Sequence, residues 1–277
     1  MTVRIVGVHG VGNYRPGLSP EAAAEKLGRQ WADQLRRGSN YPADALDVRM
    51  AYYAPHLNTI IRQGSDGLDD LPADIREMIR IWATQLAPPS EDIPEGYVTV
   101  PIRLVVDRIA RLHHLNRALL RPFVAIFFRE VATYLRQPDS ATRRAVRDTV
   151  ANAIARHRPR IVIAHSLGSI VAYETLWANP ELQLELFITL GSPLGMPEVI
   201  FERLQPTPSC RGNRPPGVRR WVNIADSGDI VAIPRPFTLR FDPNKNIERQ
   251  IGLIDFHTAS NYLACRDTST AITAHLS

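Results

Sequence analysis

Four apolar residues, Ile161, Val162, Ile163 and Ala164, run straight into His165-Ser166-Leu167-Gly168. The run is too short for a helix and reads as a buried strand. Ile170, Val171, Ala172 and Tyr173 then continue as an apolar-faced helix. A strand that passes into a helix through one serine forces that serine into a strained elbow, its hydroxyl exposed above a parallel sheet. Strand and helix backbones cross closely at such an elbow, so the flanking residues must be small. Ala164 and Gly168 stand two positions before and two after Ser166. The pattern is G-x-S-x-G with alanine in the first place, a change of one methyl group.

Three more pieces share this chemistry. Near the start, residues 3–8 form a second apolar strand that enters Val8-His-Gly-Val-Gly12, where glycines let the backbone itself approach a ligand. Downstream, Thr189-Leu-Gly-Ser-Pro193 closes another strand, and Asp226, Asp229 and His257 follow in that order. With these pieces the chain resembles the α/β-hydrolases, closest to serine lipases, esterases and GPI-inositol-deacylase-like proteins. The resemblance covers the start of the chain and the region after about residue 158. It implies a mostly parallel central sheet with helices on both faces and a helical cap inserted before the nucleophile strand. On this reading residues 1–55 and 138–277 form the core, and residues 56–137 form the cap or lid.

The resemblance also implies roles. Ser166 is the nucleophile, His257 the base, and Asp229 the acid that orients it, in the order Ser, Asp, His. Asp229 is favoured because Ile-Val-Ala-Ile-Pro follows it; Asp226 is the alternative acid, with turn formation beside Ser227-Gly228 as its plain role. The backbone N–H groups of Val11 and Leu167 would form the oxyanion hole. His9, Gly10, Gly12, His165 and Ser192 are candidate pocket residues, with His9 expected to brace its loop. A serine hydroxyl needs such a base at neutral pH, and histidine titrates in the right range. The expected reaction is cleavage of an ester, thioester or related acyl bond, with no metal and no organic cofactor. An acyltransferase or cyclase could use the same residues, and a non-catalytic binding module of this fold is the rival from another class.

Composition excludes other classes. The chain has 277 residues, enough for one α/β domain with an insertion. Its net charge of +5 comes almost wholly from arginine, Lys26 and Lys245 being the only lysines. Those arginines are interspersed with acids rather than clustered, which argues against a nucleic-acid partner. Cys210 and Cys265 are too few for a disulfide framework. No apolar run reaches membrane-spanning length and no signal peptide opens the chain, so a cytoplasmic location is expected. The adjacent His113 and His114 point different ways on a helix and make a poor metal pair. The expected partner is a small or lipid-like acyl substrate, peripheral membrane contact is compatible with the sequence, and the oligomeric state is not encoded legibly.

Between residues 56 and 137 the pattern is helical. Residues 71–86 predict an amphipathic helix, 90–101 a loop, and 102–135 one or two helices broken near Pro122. The run Phe123-Val-Ala-Ile-Phe-Phe128 is expected to pack on the core, with a lid, an acyl-binding wall and a membrane-surface helix as alternatives. Residues 206–217 predict a Pro/Gly-rich loop, and 237–241 and 247–253 predict short strands.

Overall fold

A computed structural model describes residues 2–39, 41–42, 45–58, 67–87, 100–252 and 257–273. Six strands form one sheet: β1 (Val3–Val8), β2 (Leu46–Ala51), β3 (Ile161–His165), β4 (Leu184–Leu190), β5 (Val218–Asp226) and β6 (Lys245–Arg249). Their order is β2-β1-β3-β4-β5-β6, and each neighbouring pair is parallel. This is an α/β fold with a parallel sheet, compatible with the α/β-hydrolase expectation. All-parallel strands need both faces covered, and alternating side chains serve the two faces.

Val6, Val8, Val162, Ala164, Phe187 and Trp221 point to one face, into an apolar cluster shared with five helices. These are α3 (Ala73–Leu86), α4 (Ile102–Leu112), α5 (Arg117–Leu135), α6 (Ala141–His157) and α7 (Leu167–Ala178), which follow the short α2 (Ala54–Leu57). Val3, Ile5, Ile161, Ile163, Leu186, Ile188 and Ile224 point to the other face. Helix α1 (Pro20–Arg37) covers that face with Ala23, Leu27, Trp31 and Leu35, and Tyr262, Leu263 and Ile272 of α8 (Ala259–Ala264) and α9 (Arg266–Thr273) join it. Ser19 caps α1 by accepting the Ala22 N–H at 3.2 Å, and Pro20 occupies the first helical position.

The helical block differs from its sequence reading in one respect. The break falls at His113–Asn116 rather than at Pro122, which lies inside α5. Asn116 starts α5 by accepting the Ala118 N–H at 2.9 Å, which makes Pro122 the sixth residue of the helix. There proline costs a single intrahelical bond, while the burial of Val124, Phe127, Phe128 and Val131 holds the helix together. The Phe123–Phe128 run packs on the core as expected, since Phe127 and Phe128 are buried in the same cluster as the sheet. Most of the predicted 90–101 loop lies outside the described residues.

The predicted strand at 237–241 is a 3-10 turn, Phe237–Leu239, followed by a single bridge between Phe241 and Gly212. Pro234 and Pro236 remove two ladder donors just before it. Phe237 and Phe241 instead stack 5.0 Å apart and pack on Trp221. The second predicted strand is β6, shifted to Lys245–Arg249, and part of 247–253 lies outside the described residues. The Pro/Gly-rich loop of 206–217 is tied to this aromatic region: Tyr173 donates to the Asn213 carbonyl at 2.9 Å and Arg211 to the Thr238 carbonyl at 2.7 Å. Among the described residues no helix is long and apolar enough to cross a membrane.

Candidate functional site

The strand order reverses direction beside β1: β2 lies on one side of it and β3 on the other. In open parallel sheets a crevice forms at such a reversal, beyond the carboxyl ends of the strands. Val8 pairs with Ala164, so the chain leaves β1 as His9 beside the point where it leaves β3 through His165 and Ser166. Sequence order alone separates these two exits by more than 150 residues.

Ser166 sits at φ 56°, ψ −130°, immediately ahead of α7. A non-glycine residue there carries strain of about 1–3 kcal/mol and persists only where its surroundings fix it. Those surroundings are explicit. The Ser166 N–H donates to the Leu190 carbonyl at 3.0 Å, and its carbonyl accepts from the Ser169 N–H at 2.9 Å and the Ser169 hydroxyl at 2.6 Å. The Ser169 hydroxyl in turn accepts from Ser192 at 2.8 Å, and Ser192 accepts from the Leu194 N–H at 3.4 Å. With the Ser169 proton committed to the Ser166 carbonyl, Ser192 must donate to Ser169, giving one polarised chain. Ser192 therefore braces the elbow from below. Gly168 is required here, because a Cβ on it would lie 2.3 Å from the Val8 carbonyl oxygen and 2.4 Å from that of His9.

Asp229 and His257 meet although 28 positions apart: His257 Nδ1 lies 2.6 Å from Asp229 Oδ2. A carboxylate only accepts, so Nδ1 carries a proton, and in the neutral ring Nε2 carries the lone pair. The same Oδ2 accepts from the Tyr262 hydroxyl at 2.7 Å, and Oδ1 accepts from Val231 N–H at 2.9 Å and Ala232 N–H at 3.3 Å. Asp226 is occupied otherwise. Its oxygens accept from the N–H groups of Gly228 at 2.9 Å, Ile251 at 3.2 Å and Gly252 at 2.6 Å, which close the turn after β5 and fasten the chain after β6. Gly191, at φ +53°, keeps this corner open: a Cβ there would lie 2.8 Å from Asp229 Oδ2 and 3.1 Å from His257 Cε1.

The His165 and His257 rings are 4.7 Å apart, which brings the His257 ring against the residue next to Ser166. Burial, reinforced by His257 and His9 nearby, pushes His165 well below the usual histidine range and keeps it neutral. Ser166 Oγ and His257 Nε2 are both buried and neither makes a hydrogen bond among the described residues. Buried polar atoms are nearly always paired, so Ser166 Oγ and His257 Nε2 stand out, together with the equally unpartnered His165 Nε2 between them in this corner.

The loop after β1 is tightly organised. His9 Nδ1 lies 2.8 Å from the Gly10 carbonyl and must donate to it, while Nε2 accepts the Tyr53 N–H at 3.3 Å. Burial lowers the His9 pKa to about 4, so the ring is neutral and stacks on Tyr53 at 4.2 Å. His9 thus braces the loop. Asn13 Nδ2 donates to the Gly10 and Val11 carbonyls at 3.0 and 3.1 Å. Gly10 lies against the elbow: a Cβ there would sit 2.6 Å from Ser166 Cβ. Gly12 takes φ +71°, and its N–H donates to Glu130 at 2.9 Å. The Val11 N–H makes no hydrogen bond among the described residues. Leu167 opens α7, where a first-turn N–H has no intrahelical acceptor.

One expectation needs correction. The Ser166 hydroxyl is not exposed; the residue is fully buried, and His257 is 8% exposed. The cover comes from α5, whose Phe123 and Phe127 rings stand edge-on to His257 at centroid distances of 5.4 and 6.5 Å. Ile126 approaches Gly12, with its Cγ2 3.7 Å from where a Cβ would be. Surface clefts of about 510 and 520 Å³ lie elsewhere, one by α3 and α4 among Asp69, Arg76, Arg80 and Pro101 and one by Gly38 and α9.

Residues that sequence reasoning passed over also shape the site. Tyr262 shares the Asp229 oxygen with His257, Ser169 holds the elbow, Tyr53 donates its hydroxyl to the His9 carbonyl, and Glu130 holds Gly12. Tyr262 stands five positions after His257 within α8, a proximity visible in the sequence; the others carry no motif. Among the described residues no three His, Cys, Asp or Glu side chains converge as metal ligands. In comparisons with known proteins, no family, no curated protein and no solved structure matches this chain.

Proposed function

We propose that the chain is a serine hydrolase of the α/β-hydrolase type that cleaves an ester, thioester or related acyl bond. The observation that carries this reading is the strained Ser166 elbow beside a buried His257 whose Nδ1 is bonded to Asp229. A purely structural Ser–His pair would spend its polar atoms on hydrogen bonds. Here Ser166 Oγ and His257 Nε2 are buried and without partners among the described residues. In the absence of substrate such contacts are often long and tighten only as the reacting complex forms.

The chemistry follows from the proton positions. Ser166 Oγ forms a bond to the acyl carbon while its proton passes to His257 Nε2, and Asp229 stabilises the resulting imidazolium. The carbonyl electron pair moves onto oxygen, which accepts from the N–H groups of Val11 and Leu167, each donor typically lowering the barrier by about 3–4 kcal/mol. Collapse expels the leaving group, which receives the proton from Nε2. Water then repeats the sequence on the acyl-enzyme and restores Ser166. The aromatic edge of α5 against His257 favours an apolar acyl group, and residues 56–137 then act as the specificity-bearing cover.

Labelling with a fluorophosphonate probe tests the reading. The native chain is expected to label, and Ser166→Ala and His257→Ala are expected to lose labelling while remaining folded by circular dichroism. A folded native chain that neither labels nor hydrolyses p-nitrophenyl acetate would overturn it, as would labelling that survives Ser166→Ala.

A further inference from the structure

Positions 123, 126, 127 and 130 of α5 follow the i, i+3, i+4, i+7 spacing of a single helix face. Phe123 and Phe127 meet His257, Ile126 meets Gly12, and Glu130 Oε1 accepts the Gly12 N–H at 2.9 Å. One stripe of one helix thus touches both halves of the site. Glu130 is its only polar member and is half-buried. Its hydrogen-bond partner among the described residues is the Gly12 N–H, and it makes no ion pair among them. A carboxylate desolvated without a counter-ion is costly, and burial accordingly raises the Glu130 pKa to about 7.

Resting on the acyl-transfer reading, we propose that Glu130 is a positioning residue: its carboxylate latches the Gly10–Asn13 loop to α5 and so fixes where the Val11 N–H points. Gly12 is the position where the loop reverses at positive φ, and a glycine there has the widest conformational choice of any residue. The other bonds hold carbonyls: Asn13 Nδ2 donates to those of Gly10 and Val11, His9 Nδ1 to that of Gly10, and the Tyr52 hydroxyl to that of Asn13 at 2.9 Å. Among the described residues, only the Glu130 bond ties the Gly12 amide to a rigid element outside the loop. Without that tie the 11–12 peptide is held only at its Val11 carbonyl, by Asn13, and can tilt; the Val11 N–H sits in the preceding 10–11 peptide, and the change at the shared Val11 Cα shifts it from the line required for a developing oxyanion. A displacement of about 1 Å in a reacting constellation can reduce rate about 100-fold.

Glu130→Ala and Glu130→Gln separate the latch from bulk packing. Glutamine keeps an acceptor oxygen at the same reach. Glu130→Ala is expected to lower kcat for p-nitrophenyl acetate about 100-fold with little change in KM, because the oxyanion contact matures only in the transition state. Glu130→Gln should restore kcat to within about tenfold of native. Amide hydrogen exchange supplies a readout independent of activity: exchange at Gly12 should speed at least about tenfold in Glu130→Ala and stay near native in Glu130→Gln. Unchanged exchange in a folded Glu130→Ala overturns the latch. Faster exchange with native kcat overturns the positioning role and leaves only a structural tie. A native chain that shows no activity and no fluorophosphonate labelling overturns the acyl-transfer reading and the positioning role with it; the exchange result then judges the latch alone.

Discussion

Replacing Asp229 by asparagine probes the link between hydrogen-bond geometry and histidine tautomer. Asp229 accepts four hydrogen bonds: from His257 Nδ1 at 2.6 Å, the Tyr262 hydroxyl at 2.7 Å, Val231 N–H at 2.9 Å and Ala232 N–H at 3.3 Å. An asparagine offers one oxygen and one NH2, so one side of the site must meet a donor. If the NH2 faces Val231 and Ala232, two fixed backbone donors oppose it with no means of adapting. If it faces His257, the imidazole can move its proton to Nε2 and let Nδ1 accept. The second orientation is therefore preferred, and it places the proton on the atom that should receive one from Ser166. Tyr262 is left with a hydroxyl proton lacking its acceptor. The expected loss of stability is about 1–3 kcal/mol, the cost of one buried unpaired donor. The expected loss in acylation rate is about 10⁴-fold, or roughly 5 kcal/mol of barrier, as for a wrong-tautomer base. Urea denaturation gives the first quantity and the rate of fluorophosphonate labelling the second; imidazole nitrogen NMR reports the tautomer directly. Asp226→Asn should instead loosen the turn onto Gly228, Ile251 and Gly252 and leave labelling within about tenfold of native. Native-rate labelling of Asp229→Asn, or a 10⁴-fold loss confined to Asp226→Asn, would refute the assignment.

Two further predictions concern stability. Gly168→Ala should cost at least about 3 kcal/mol or prevent folding, because its Cβ would meet the carbonyl oxygens of Val8 and His9, neither of which can move aside. Gly17→Ala, with positive φ but nothing within 4 Å, should cost only about 1 kcal/mol, and a thermal-melt comparison of the two separates steric overlap from backbone strain. The pH dependence should show two opposed slopes. His9, lowered to about 4 from 6.5, contributes stability that is full above pH 6.5 and is lost as pH falls toward 4. Glu130, raised to about 7 from 4.5, contributes stability that is full below pH 4.5 and is lost as pH rises through 7. Each amounts to about 3 kcal/mol at most, so the two offset each other between pH 4.5 and 6.5. Glu130→Gln should therefore gain stability at pH 8 and reveal a decline on acidification from 6.5 to 4.5; urea midpoints that are no more pH-dependent than those of the native chain would contradict this.

Much of the sheet was legible in the sequence, for a local reason. Apolar runs of five or six residues bounded by proline, glycine or a small-residue turn have few conformations open to them, so β1, β3 and β4 appear where expected. The elbow was legible for the same reason: Ala164 and Gly168 are small because two backbones pass within contact of each other. The misplaced elements are those where side chains with distant partners outweighed local pattern. Phe237 and Phe241 read as strand residues but are drawn into stacking against Trp221. Pro122 reads as a helix break, yet the burial of Val124, Phe127 and Phe128 outweighs one lost hydrogen bond.

The sequence by itself determined the order of chemically competent residues, the strand-to-helix turn that strains Ser166, and the glycines around it. These are constraints between neighbours in the chain. Only the tertiary structure decided which acid reaches His257, since Asp226 and Asp229 differ by three positions and the choice rests on turns closed by Gly252 and Val231. It also decided that the serine is covered rather than exposed and that Glu130 holds Gly12 across 118 positions. Strand order sets those proximities: the reversal between β1 and β3 brings two loops to one edge, and α5, packed over the same face, closes above them.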